Sequence, residues 1–196
     1  MSNSDCQRRV RPLYAWEITE ARQVFGDSLR YDRIRIHECA TWADAIDRLG
    51  RRLKKQAPPG PEEHNSVTLG YHCYFPVSLP DRLVPPGDPL DYYMPWLIHE
   101  LTHAWQYQHT GWTYLVRALA AQFRYGPAAY DFGGEAKLIK CRQNHWTITN
   151  FNPEQQGDIA RYYYYGLRST NAIDEPNKQN ALSAYKPYIG DIQGTG

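Results

Sequence analysis

The chain has 196 residues, a length that predicts one unit over 1–196 with one sizeable core. Its 22 Lys and Arg against 21 Asp and Glu leave a formal charge of +1, which excludes the strongly basic footprint of a nucleic-acid binder. A mean hydropathy of −0.69, with every apolar run broken by charge, Pro or Gly, excludes a membrane span, and 16 Tyr with 6 Trp exclude a disordered chain.

The amino terminus lacks the basic start and apolar stretch of a secretory signal, so synthesis in the cytoplasm is expected and any export uses another route. Cys6, Cys39, Cys73 and Cys141 form no C-x-x-C pair. This argues against a thiolate zinc site and leaves them as idle thiols, unless an oxidising compartment pairs them.

Residues 16–25 place Ile18, Ala21 and Phe25 on one helical face, and Gly26 stops the helix. Residues 31–38 alternate Ile34 and Ile36 with Arg33 and Arg35, the pattern of a strand with one wet face. Thr41 caps a helix carrying Trp42, Ala45, Ile46, Leu49 and Leu53, ended by Pro58 to Pro61. Residues 67–75 read as a second strand interrupted by Gly70, a bulge or a close backbone approach.

After a loop rich in Pro and Gly, a helix runs from about Pro95 to Gln108 and closes at Gly111. Residues 113–124 form another, with Leu115, Leu119 and Phe123 aligned. Residues 125–149 read as irregular, with a short strand at 146–149. Asn152, Pro153 and Glu154 supply a cap, a first-turn proline and a dipole-favoured acid for a helix carrying Asp158, Ile159, Tyr162 and Leu167. Residues 1–16 and 170–196 read as peripheral tails.

His99-Glu100-Leu101-Thr102-His103 is an H-E-x-x-H sequence on the helix from Pro95. Residues four apart share a helical face, so two imidazoles point at one metal ion, with zinc the expected cofactor. Glu100 then projects beside the metal, where its carboxylate takes a proton from a bound water. A catalytic zinc needs a third protein ligand. His109 sits at metzincin spacing, but Gln106 replaces the glycine that turns the chain off the helix. On a continuing helix His109 lies about 240° around the axis and roughly 9 Å along it from His103. Glu154 is the better candidate: Asp158, four residues on, can accept the second N–H of a ligand histidine. Glu135 is the rival ligand. Tyr130, His145, Arg161 and Tyr162 are candidate oxyanion donors, none preferred.

The Glu154-x-x-x-Asp158 pair after H-E-x-x-H resembles the gluzincin arrangement of thermolysin-like peptidases. Residues 24–36 (VFGDSLRYDRIRI), 98–108 (IHELTHAWQYQ), 130–132 (YDF) and 152–159 (NPEQQGDI) resemble the zincin domains associated with bacterial type VI secretion spikes and contractile injection systems. The resemblance implies an α+β zincin-like fold, mostly helical, with a small mixed or antiparallel sheet packed near the active-site helix. It implies a zinc metallopeptidase with His99, His103 and Glu154 as ligands and Glu100 as base, acting on peptide or protein in a target-cell periplasm. By the same likeness the partners are a secretion spike or a cognate immunity protein. The alternatives are a zinc-stabilised binding or assembly module without catalysis, and a hydrolase of a non-peptide amide or ester.

Overall fold

The structure is a computed structural model that describes residues 6–42, 66–169 and 182–194. Among these are six α-helices and a four-stranded mixed sheet, the α+β architecture expected. Strands β1 (Arg9–Arg11), β2 (Arg35–Glu38), β3 (Val67–Leu69) and β4 (His72–Tyr74) lie in the order β1-β2-β4-β3. The β2–β4 pair is parallel, with Ile36 opposite Cys73, and both outer pairs are antiparallel.

Period-two alternation sorts the sheet's faces. Ile36 and Cys73 are fully buried, whereas His37, His72 and Tyr74 form an outer aromatic cluster in which His37 stacks on Tyr74 at 4.2 Å. Ile34 is also fully buried, but residues Tyr31–Arg33 form a 3-10 turn, so the strand starts later than the alternation suggests. Gly70 marks no bulge. With φ of +65° it sits in a two-residue turn between β3 and β4, a conformation open to glycine, and the Tyr107 ring lies 3.4 Å from where a Cβ would stand.

Helices α1 (Ala15–Phe25), α2 (Tyr93–Thr110), α3 (Thr113–Tyr125), α4 (Gly134–Gln143), α5 (Pro153–Arg168) and α6 (Lys186–Gly194) complete the order. The core joins Val24 and Phe25 of α1, Ile36 and Phe75 of the sheet, Leu97, Ile98 and Leu101 of α2, and Ile159 and Tyr164 of α5. Helix α5 packs along α2 and seats the site described below.

Five expectations change. Helix α4 occupies part of the stretch read as irregular, and Ile148–Asn150 is a 3-10 turn rather than a strand. The α3 stripe is inverted: Leu119 is 57% and Phe123 84% exposed, and the buried face is Tyr114, Ala118 and Ala121, because small side chains allow close approach to α2. The segments read as peripheral contribute core. Leu13 is buried, as are Tyr188, Ile189 and Ile192 of α6, whose Asp191 accepts from Arg142 and from the Ile148 N–H. Cys6 and Cys39 form a disulfide that ties the amino-terminal arm to the end of β2, while Cys73 and Cys141 are free and buried. The helix expected after Thr41, from residue 43 on, and residues 170–181 lie outside the described residues.

Candidate metal centre

Residues 97–106 of α2 are all buried, since the helix is uncharged around most of its surface and runs between the sheet and α5. Its backbone carries His99, Glu100 and His103 into the interior, where one ligand atom from each lies within 4.8 Å of the others. Helix α5 starts where the sequence places its cap: the Asn152 side chain accepts from the Gln155 N–H, and Pro153 follows. That start fixes Glu154 and Asp158 on the turns facing α2.

Glu154 Oε2 lies 3.3 Å from His99 Nε2 and 3.5 Å from His103 Nε2. Tetrahedral zinc bonded at 2.0–2.1 Å separates its ligand atoms by about 3.3–3.4 Å, so these two separations are close to the edge length of such a site. The rear nitrogens are engaged. His99 Nδ1 donates to Asp158 Oδ1 at 2.9 Å, and Arg161 braces the same oxygen at 3.1 Å. His103 Nδ1 donates to Gln106 Oε1 at 2.9 Å. The Gln106 amide donates to Pro153 O and Gln156 Oε1, which fixes its orientation and hence the tautomer of His103. Both Nε2 lone pairs therefore converge on an anionic oxygen in a buried space, a donor set that demands a cation or protons.

Without a metal, protons fill that role. Burial lowers the affinity of His99 for a proton, but hydrogen bonds to Asp158 and Glu154 outweigh it and push the ring up to about 10. His103 is raised as well, burial again being overcome by Glu154. Burial would raise Glu154, yet the two imidazoles hold it far below the usual carboxylate range. A raised histidine stabilises the fold fully below its unfolded value of about 6.5 and loses that contribution as pH climbs towards its folded value. We expect the chelator-stripped chain to melt at progressively lower temperature from pH 7 to 9. A flat thermal-melting profile over that interval would contradict this protonation state.

Both oxygens of Glu100 are gripped by β3 and the residue before it. Ser66 Oγ donates to Oε1 and Thr68 Oγ1 to Oε2, each at 2.6 Å. Gln122 of α3 donates to Glu154 Oε1 at 2.8 Å and to Tyr130 Oη at 3.1 Å. Tyr130 stands with its ring 6.0 Å from that of His99, and burial together with Glu154, Glu100 and Asp158 holds its phenol well above the ordinary value, a neutral donor at the rim.

The other candidates stand elsewhere. His109 is exposed, with Nδ1 on the Trp105 carbonyl, and Glu135 is exposed on α4. Tyr162 packs on Phe132, and His145 occupies an exposed turn at φ +60°. Sequence reasoning missed Ser66, Thr68, Gln106, Gln122 and Gly157. Only Gly157 left a signal, a lone glycine inside a helical pattern.

Gly157 lies against the His99 ring, and a Cβ there would come within 2.7 Å of Cε1. Gly157→Ala must therefore displace the ring, and we expect metal affinity to fall by about 10–100-fold, the range found when the surroundings of a ligand are disturbed. Competition with a chromogenic chelator measures it, and wild-type affinity would show that the ring moves freely. Asp158→Asn keeps the volume but can turn its amide towards the ring nitrogen. The expected loss is again about 10–100-fold in metal affinity, read by the same competition.

Fold and site together define a mixed α+β protein with an H-E-x-x-H helix and a buried cluster that can hold a metal ion. Over 177 residues the chain is 29% identical to the type VI secretion system spike protein VgrG2b of Pseudomonas aeruginosa. The match takes in 83% of this chain and 14% of that protein, so the chain spans a small part of its relative's length. No family model matches the chain, and no solved structure matches it.

Proposed function

We propose that the chain is a zinc-dependent metallopeptidase, an antibacterial effector delivered by a type VI or related contractile apparatus. The observation that carries the reading is the convergence of His99 Nε2, His103 Nε2 and Glu154 Oε2 at 3.3 and 3.5 Å, with the Glu100 carboxylate beside them. His99, His103 and Glu154 hold the zinc, and Asp158 and Gln106 orient the two rings. A zinc ion there supplies a Lewis acid and lowers the pKa of a water towards about 7. Glu100 takes the proton of the attacking water and returns it to the leaving amine.

A purely structural cation site has no use for a further carboxylate steadied by two hydroxyls, and this favours an enzyme over a binding module. The likeness to a secretion spike protein supports delivery by such an apparatus, with a spike and an immunity protein as partners and a target-cell periplasm as the place of action. The test begins with metal analysis. Wild type should carry zinc, Glu154→Ala should lose it, and Glu135→Ala should keep it. Wild type should also cleave peptides from an unbiased library and be toxic when sent to the periplasm. Cleavage of cell-wall amides or esters alone would sink the peptidase assignment, and full zinc retention in Glu154→Ala would sink the ligand set.

A further inference from the structure

Helix α3 covers the candidate site with an inner face of three kinds of contact. Gln122 reaches Glu154, the Tyr114 ring lies 6.0 Å from that of His103, and the Tyr114 hydroxyl reaches strand β3. The last contact is the unusual one. In a hairpin closed at Leu69 and His72, alternate residues turn their peptide groups outward, and the carbonyl of Thr68 faces away from β4. Tyr114 Oη donates to that carbonyl at 2.7 Å and accepts from the Gly70 N–H at 3.3 Å. One phenol thus takes an acceptor and a donor of the sheet edge, the pair an added extended strand would use. Thr68 is also the residue whose hydroxyl grips Glu100.

Helix α3 is bounded by glycines and holds to the rest of the molecule through a small face. Gly111 and Gly126 flank it at φ +60°, ψ −147° and φ +57°, ψ −132°, a region essentially restricted to glycine, with open space around both. Its buried face is small, two alanines besides Tyr114, and Trp112, Val116 and Leu119 point outward to solvent. A cavity of about 100 Å³ opens beneath its first half, bounded by Trp105, His109, Tyr114, Arg117 and Pro153, and the Trp105 indole N–H in its wall has no partner among the described residues.

We propose that α3 is an autoinhibitory strap: it swings on Gly111 and Gly126, and its Tyr114 occupies the outer edge of β3 until an extended peptide displaces it. The functional half of this inference rests on the peptidase reading, whereas the motion and the edge contact do not.

Amide hydrogen exchange followed by NMR tests the motion on the full chain. In wild type, α3 amides should exchange at least about tenfold faster than those in the middle of α2 and α5, as a locally opening unit does. Equal protection of α3 and α2 would overturn the strap. Tyr114→Phe removes only the hydroxyl, and the Gly70 amide should then exchange about tenfold faster. Unchanged protection of Gly70 would overturn the edge contact. With a cleavable peptide, the same variant should lower KM several-fold at unaltered kcat, because a competing ground-state contact is gone. A raised KM or a lowered kcat would make the hydroxyl a substrate contact and overturn autoinhibition. If neither protein cleaves any peptide, the peptidase reading fails, and the exchange rates still decide whether α3 opens.

Discussion

Glu100→Gln is expected to lower peptide hydrolysis by about 10²–10⁴-fold, the usual worth of a positioned general base, while zinc content stays at the wild-type level. The substitution keeps side-chain volume, and the hydroxyls of Ser66 and Thr68 can rotate to suit an amide, so the strand contact survives. What disappears is an anion able to accept the water's proton. Parallel metal analysis and turnover measurements separate the two roles open to Glu100. Wild-type turnover would remove it from the chemistry. Loss of zinc would make it a ligand, consistent with its place in the His99 and His103 cluster but not with its role as base.

Arg11→Met is expected to cost about 3–5 kcal/mol of folding stability, the range for breaking a buried ion pair from one side. The Arg11 guanidinium is 3% exposed and meets Glu17 at 2.7 and 2.8 Å and Glu38 at 2.6 Å, with the Tyr14 ring 3.9 Å from its centre. It joins β1, β2 and the first turn of α1, where Glu17 also accepts the Tyr14 N–H. Methionine fills the space but leaves two carboxylates in the interior without a cation. Urea unfolding at pH 7 reads the loss. A change below about 1 kcal/mol would mean that water reaches the carboxylates.

How much of this was legible depended on the range of the interaction that made each feature. The ends of α1, α2 and α5 were legible because caps and stops act within a turn: Gly26, Gly111 and the Asn152-Pro153 pair each sit at a helix end. His99 and His103 sharing a face follows from helical repeat alone. Helix α4 was hidden, since its composition is polar and its amphipathic pattern weak, and it is held by Leu138 and Cys141 in the core and by Tyr188 bonding to the Leu138 carbonyl. The stripe on α3 was visible but misdirected, because periodicity reveals a face and not which side of the molecule it meets.

The sequence by itself determined the local chemistry: a helix with two imidazoles one turn apart, a carboxylate beside them, and a second helix opening on an acid. Tertiary structure alone decided which atoms converge. It brought Glu154 and Asp158 across more than fifty residues to His99, used Gly157 to let α5 approach that ring, and set Gln106 behind His103. It also laid α3 over the cluster and turned its larger apolar side chains outward. The physical reason is that capping and helical periodicity are fixed by neighbours a few positions away. A buried polar network is fixed by packing between elements whose separation along the chain carries no record of their distance in space.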